Sequence, residues 1–134
     1  MRLIIIKVTI FVAAVICIPV MYQCSDDPLA PFQPEITNAT DNFQLQATGV
    51  ENQTSTLPYN WTNTGTQASI NHSTTTTNGT ARLIIKDAGD VTVYDKILVP
   101  SLSDTTLTGS SGTWEIRLVL SEYSGTLNFR VQKF

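Results

Sequence analysis

Reactive side chains are scarce in this chain. It has one histidine, His72, and two cysteines, Cys17 and Cys24, in 134 residues. Neither a cysteine–histidine pair nor a histidine–cysteine metal cluster can be assembled from that stock beyond residue 24. The serines lack a G-x-S-x-G context, so no nucleophile elbow is present either. Basic charge is equally thin. No lysine or arginine occurs from Val8 to Ala81, whereas Asp26, Asp27, Glu35, Asp41 and Glu51 all fall in that span. Loss of residues 1–23 would remove Arg2 and Lys7 and leave eleven acidic against six basic residues, a net charge near −5. Such a surface repels a phosphate backbone, which excludes nucleic acid as a partner. Helical periodicity is missing too, and the abundance of Ser, Thr and Asn over Glu, Lys, Ala and Leu disfavours a helical bundle.

What the N-terminus does have is the layout of an export signal. Arg2 and Lys7 form a positive start, and Val8–Val20 is apolar except for Thr9. As a helix these residues would span roughly 20 Å, short of the roughly 30 Å hydrocarbon core. A signal is the preferred reading. A retained anchor, with Lys7 snorkelling to the interface, is the alternative. Cys17 lies inside this run, so the two cysteines do not form a disulfide of an exported domain.

Cys24 follows directly, in the stretch VMYQCSDDP. It resembles the acylated cysteine of bacterial lipoproteins, and Cys24-Ser25-Asp26-Asp27 is similar to the openings of Bacteroidota surface or periplasmic lipoproteins. Met21 and Gln23 depart from the Leu and small residue those signals carry at −3 and −1. No competing small-x-small cleavage site is present. The resemblance implies lipid attachment at Cys24, membrane anchoring through it and residence in the cell envelope at the outer membrane. Triacylation buries enough methylenes, at roughly 0.8 kcal/mol each, to hold a protein without a span. The expected organisation is a signal peptide at 1–23, a tether at 24–41 extended by Pro28, Pro31 and Pro34, and a folded domain at 42–134.

From Asn42 onward the apolar period is two. Phe43, Leu45 and Ala47 alternate with polar residues, as do Leu57, Tyr59 and Trp61, then Ala68 and Ile70. Ala81, Leu83 and Ile85 follow, then Val91 and Val93. The last runs are Trp114, Ile116, Leu118 and Leu120, then Leu127, Phe129 and Val131. This predicts an all-β fold, a single antiparallel β-sandwich of seven to nine strands, immunoglobulin-like or jelly-roll in order. A signal helix and an extended linker would precede it. Asp87–Asp90 reads as a hairpin turn with Gly89 at positive φ, and Thr74–Gly79 as a polar loop. Gly109–Gly112 reads as a flexible loop. Ser124-Gly125 reads as the turn of a terminal hairpin. The segments ARLIIKDAGDVTVYDKIL and GTWEIRLVLSEYSGTLNFRVQ, within residues 81–132, resemble bacterial pre-peptidase C-terminal-type jelly-roll accessory domains, which implies a non-catalytic appendage.

Candidates for chemistry are few. His72 lies in a Thr/Asn-rich segment and is expected to be a solvated loop residue. Glu115, Glu122, Asp87, Asp90, Asp95 and Asp104 are the carboxylates available for a glycosidase-type pair, and strand faces and turns account for them as solvated charges. Asp87 and Asp90, with Asp95 nearby, are the candidate calcium turn. Their spacing matches no EF-hand loop, and an Asp in a turn is explained by its bonds to the local backbone. Tyr59, Trp61 and Trp114 share the phase of their apolar neighbours and are assigned to the core. If an aromatic is exposed, Tyr94 or Tyr123 is the better candidate, since Tyr94 is out of phase with Val91 and Val93. Ile84 and Val119 stand on nominal outer faces, as a small contact patch or under a loop. The sequons at Asn38, Asn52, Asn60, Asn71 and Asn78 follow from Thr-rich composition. The expected function is a non-catalytic binding, adhesion or structural module without a cofactor, with a protein or carbohydrate partner. The alternatives are an accessory domain for a separately encoded enzyme or transporter, or a small carbohydrate-binding module.

Overall fold

The computed structural model describes residues 32–134. The signal segment 1–23, Cys24 and residues 25–31 of the tether lie outside them. The described chain forms seven strands: β1 (Glu35–Ala39), β2 (Asn42–Asn63), β3 (Ala68–His72), β4 (Thr75–Lys86), β5 (Thr92–Ile97), β6 (Leu102–Thr105) and β7 (Gly112–Lys133). All pairings are antiparallel and no helix is present among the described residues. The fold is the expected all-β sandwich.

Two long strands build it. β2 and β7 pair from Asn42↔Gln132 to Asn63↔Gly112, with register shifts between Ala47 and Ser55. Backbone in the left-handed region clusters there: Gly49 at φ 63°, Asn52 at 44°, Glu122 at 45° and Gly125 at 146°. These bulges bend the two-stranded ribbon, so that its halves belong to opposite layers. In one layer the order is β1, the first half of β2, the second half of β7, β3, β6. In the other it is the second half of β2, the first half of β7, β4, β5. The inner faces meet, as the Phe43 and Tyr59 rings show at 5.4 Å between centroids. Trp61 and Trp114, paired in register, pack edge to face at 5.9 Å with both indoles buried. Pro58 falls in the half of β2 with a strand on one side only, an edge position at which strands accept proline.

Most inward residues are those the alternation names. Phe43, Leu45, Ala68, Ile70, Ala81, Leu83, Ile85, Trp114, Ile116, Leu118, Leu127 and Val131 are completely buried. The departures have one cause, namely bulges that shift the phase. Tyr94 pairs with Ile85 while Thr92 pairs with Lys86, so one extra residue enters β5. Val93 and Tyr94 are therefore both buried, while Val91 stands in the turn at 59% exposure. The Glu122 bulge likewise turns Tyr123 inward, completely buried, with its hydroxyl donating to the Thr75 carbonyl at 3.1 Å. Neither tyrosine is exposed.

Other expectations are corrected by strand pairing. The final two apolar runs do not form a hairpin with each other. They are one continuous β7 whose halves pair with different halves of β2. Residues 35–39, placed in the tether by the sequence reading, pair with β2 as an edge strand, and Phe32 is buried against the core. Thr75–Gly79 belongs to β4 rather than a loop, and the buried Thr74 hydroxyl is bonded to both backbone groups of Asn128. At the β4–β5 turn the left-handed residue is Asp90, φ 63°, and not Gly89. The Gly109–Gly112 loop is tied down, since Ser110 N–H donates to Asp87 and the Ser110 carbonyl accepts from the Trp114 indole at 2.7 Å.

Candidate functional site

Of the carboxylates that the sequence offered for catalysis or metal, all but Glu122 have a partner of their own. Asp87 accepts three backbone N–H bonds, from Gly89 and Val91 at 2.9 Å and Ser110 at 2.8 Å. Those bonds hold its carboxyl below the usual carboxylate range. Asp90 pairs with Lys86 at 3.2 Å, and Asp95 takes Arg82 through two oxygens at 2.6 and 2.7 Å. Glu115 lies 2.6 Å from Arg117 in an ion contact without hydrogen-bond alignment. Glu122 is exposed at the β7 bend. Among the described residues no three His, Cys, Asp or Glu side chains gather as a metal-ligand group. Asp87 thus closes the β4–β5 turn onto the Ser110 loop, the role an Asp commonly takes in turns.

His72 is not a solvated loop residue. It ends β3 on the inner face, 4% exposed, and its Nε2 lies 2.7 Å from the Tyr94 hydroxyl of the opposite layer. The Val99 backbone N–H approaches Nδ1 at 3.4 Å. That contact makes Nδ1 the acceptor, so Nε2–H donates to Tyr94. Asp104 of β6 acts electrostatically on the Tyr94 hydroxyl and is itself paired with Lys96 of β5, a second contact across the layers. Burial pushes the His72 pKa down. Asp104 opposes that shift and Lys96 adds to it. Burial likewise raises the Tyr94 hydroxyl, with Asp104 contributing. The Lys96 hydrogen bond is the main cause that lowers Asp104. The chain of bonds clasps the two layers at their β5–β6 rim, beside an open cleft of about 310 Å³ along β5. Its members are committed to one another, which suits a structural clasp better than a nucleophile and base.

The other surface is the outer face of the five-strand layer. Inward Phe43, Leu45, Leu127, Phe129, Val131 and Ile70 leave the alternate residues facing solvent. Pairing aligns these in cross-strand rows. One row runs Thr37, Gln44, Arg130, Asn71, Ser103, and a second runs Asn42, Gln132, Ser69, Thr105. Hydrogen bonds hold the rows in place. Arg130 Nη2 donates to Gln44 Oε1 at 3.1 Å, Gln132 Nε2 to Asn42 Oδ1 at 3.1 Å, and the Ser103 hydroxyl to Asn71 Oδ1 at 2.9 Å. Gln44, Asn71, Ser73, Asn128 and Arg130 line a groove of about 200 Å³. Amides present donors and acceptors together, and this surface offers many, with Arg130 at its centre and Glu35 at the β1 edge as its charges.

No family model matches the chain, and no curated protein matches it. Among solved structures the chain is similar to the C-terminal CBM6 of LamC, a marine laminarinase from Zobellia galactanivorans. The likeness has a TM-score of 0.35 at 9% identity, and covers 75% of this chain and 88% of that one.

The groove residues escaped the sequence reading. The one available signal was the polar, nearly uncharged outward phase of the strands, in Asn42, Gln44 and Gln46 and again in Asn128, Arg130 and Gln132. The sequons also stand on strands rather than loops, with all five asparagines exposed. Three have side-chain hydrogen bonds, Asn38 with the Asn60 carbonyl at 2.9 Å, Asn71 with Ser103 and Asn78 with the Glu122 carbonyl at 3.5 Å.

Proposed function

We propose that the protein is an exported, lipid-anchored, non-catalytic binding module of the cell envelope whose outer β1–β2–β7–β3–β6 face meets a saccharide. The observation that carries this reading is the ordered row Thr37–Gln44–Arg130–Asn71–Ser103 and its groove. Hydroxyl-rich ligands need donors and acceptors side by side, already held in position so that little rotamer entropy is lost on binding. The amide and hydroxyl rows meet that need. Support for a non-catalytic role comes from the candidate carboxylates, all but Glu122 engaged with separate partners, and from a histidine buried in the inter-layer clasp.

Anchoring rests on Cys24 and its resemblance to lipoprotein acceptors. Burial of Phe32 leaves a tether of only eight residues from Cys24 to the sandwich. At most ~3.5 Å per residue, the domain would sit within roughly 30 Å of the bilayer. β1 begins beside Gln46, near the β2 bend, so that end of the sandwich would face the membrane. Metabolic labelling with a fatty-acid analogue tests the anchor. Wild type should incorporate label and Cys24→Ala should not, and unchanged labelling in the variant would sink the lipoprotein reading. For the binding face, a glycan screen with the full chain in detergent should give ligands whose binding is lost in Gln44→Ala/Asn71→Ala. Equal binding by the double variant would count against that face.

A further inference from the structure

Among the described residues there are six lysines and arginines, and five of them have a carboxylate within 4 Å: Arg82, Lys86, Lys96, Arg117 and Lys133. Arg130 has none. It is exposed, and its guanidinium donates to a neutral acceptor, Gln44 Oε1. Its register partners are Gln44 on one side and Asn71 on the other, both uncharged. In a chain with more acids than bases, this guanidinium occupies the middle of an amide row and lines the groove. An exposed cation gains little from a surface ion pair, so a missing partner would not by itself mark a site. Here the cation, the groove and the flanking amides coincide.

We infer that the groove binds a uronate-containing saccharide, with Arg130 taking the sugar carboxylate. This rests on the binding-module reading above and adds the ligand's charge. A guanidinium carries five N–H donors in a planar fork, and one of them is used on Gln44. The remaining edge matches a planar carboxylate through two parallel bonds, the geometry at which arginine excels. One fixed positive charge balances one monovalent carboxylate. Asn71, Asn128 and Ser73 lie beside it to exchange bonds with ring hydroxyls. The groove, about 200 Å³, is below the ~300–1,000 Å³ of pockets that enclose drug-sized ligands, which suits one sugar residue of a longer chain. The rings of Phe43, Tyr59, Trp61 and Trp114 belong to the core or pack against it, so hydrogen bonds and charge, rather than stacking, supply the recognition.

The test is calorimetric titration of the full chain in detergent with three ligands of equal length: an oligouronate, its carboxyl-reduced neutral form and a sulfated oligosaccharide. The oligouronate should bind about 10- to 100-fold more tightly than the neutral form, the range of a charge-assisted bond, and less tightly as salt rises. Arg130→Gln should abolish that discrimination, and Arg130→Lys, which keeps the charge but loses the fork, should retain only part of it. Tryptophan fluorescence of the buried Trp61–Trp114 pair reports whether each variant is folded. Should Arg130→Gln fail to fold, Asn71→Ala gives a second reading, with weakened uronate binding expected. Equal affinity for uronate and neutral ligands, tighter binding of the sulfated one, or an unchanged Arg130→Gln would overturn the inference and leave the saccharide reading standing. Binding of none of the three by folded wild type would overturn both.

Discussion

Gly49 and Gly79 offer a matched pair for testing what holds the bend. Their φ angles are nearly equal, at 63° and 68°, so an alanine at either meets the same intrinsic strain. A left-handed L-residue costs roughly 1–2 kcal/mol, offset by roughly 0.4–1 kcal/mol from the reduced freedom of the unfolded chain. Gly49→Ala should therefore cost about 1 kcal/mol, because nothing lies within 4 Å of the added Cβ. At Gly79 the Cβ would fall 2.2 Å from the Ser121 carbonyl oxygen and 2.3 Å from that of Glu122. These carbonyls are brought close because β7 bulges there, between the Asn78↔Ser124 and Thr80↔Ser121 pairs. They belong to backbone, so no side chain can swing aside. Relief requires β4 and β7 to separate and weaken their ladder, which adds about 2–3 kcal/mol to the strain. Gly79→Ala should thus lose about 3–4 kcal/mol in total, a large effect for a single substitution. Urea unfolding followed by Trp61 and Trp114 fluorescence measures both variants on the intact chain, with m values compared to confirm a common unfolded state. A Gly79→Ala stability within about 0.5 kcal/mol of Gly49→Ala would refute the view that the β4–β7 approach locks the bend.

Further outcomes follow from the buried clasp and the turn. His72 holds its proton less readily in the folded chain than in the unfolded one. Its contribution is complete above an unfolded pKa of about 6.5 and is lost as pH falls toward the lower folded value. Chemical unfolding from pH 7 to 5 should show stability declining with acid, by at most about 1.4 kcal/mol per unit from this residue. The decline should flatten in His72→Gln, and a wild-type stability independent of pH over that window would contradict the buried neutral ring. Asp87→Ala should lower the melting temperature by leaving three backbone N–H groups without their acceptor, whereas Asp90→Asn removes one exposed ion pair, keeps a side chain that tolerates the left-handed backbone there, and should leave it unchanged. Because its carboxyl is held below the usual range, Asp87 keeps its contribution above about pH 4 and loses it in stronger acid, so wild type and Asp87→Ala should converge there in thermal melts.

The fold class was legible because strand alternation is a local property. Each inward run carries its own period of two, and Ala81, Leu83 and Ile85 or Trp114, Ile116 and Leu118 are buried wherever their strand is placed. Turn chemistry at Asp87–Asp90 was legible for the same reason, although the backbone put Asp90 rather than Gly89 in the left-handed region. Bulges erase such local information. One extra residue reverses every later side chain, and this is how Tyr94 and Tyr123 reached the interior and Val91 the solvent.

The candidate site was invisible for a different reason. Gln44 and Arg130 bond across 86 positions of sequence, and His72 and Tyr94 join layers across 22. By itself the sequence determined that the chain alternates into a two-layered β protein. Tertiary structure alone decided that β2 and β7 bend together, that residues 35–39 join the sheet, and that Arg130 stands among amides rather than beside a carboxylate. Periodicity acts between neighbours in the chain, whereas register is set by contacts between strands far apart in it.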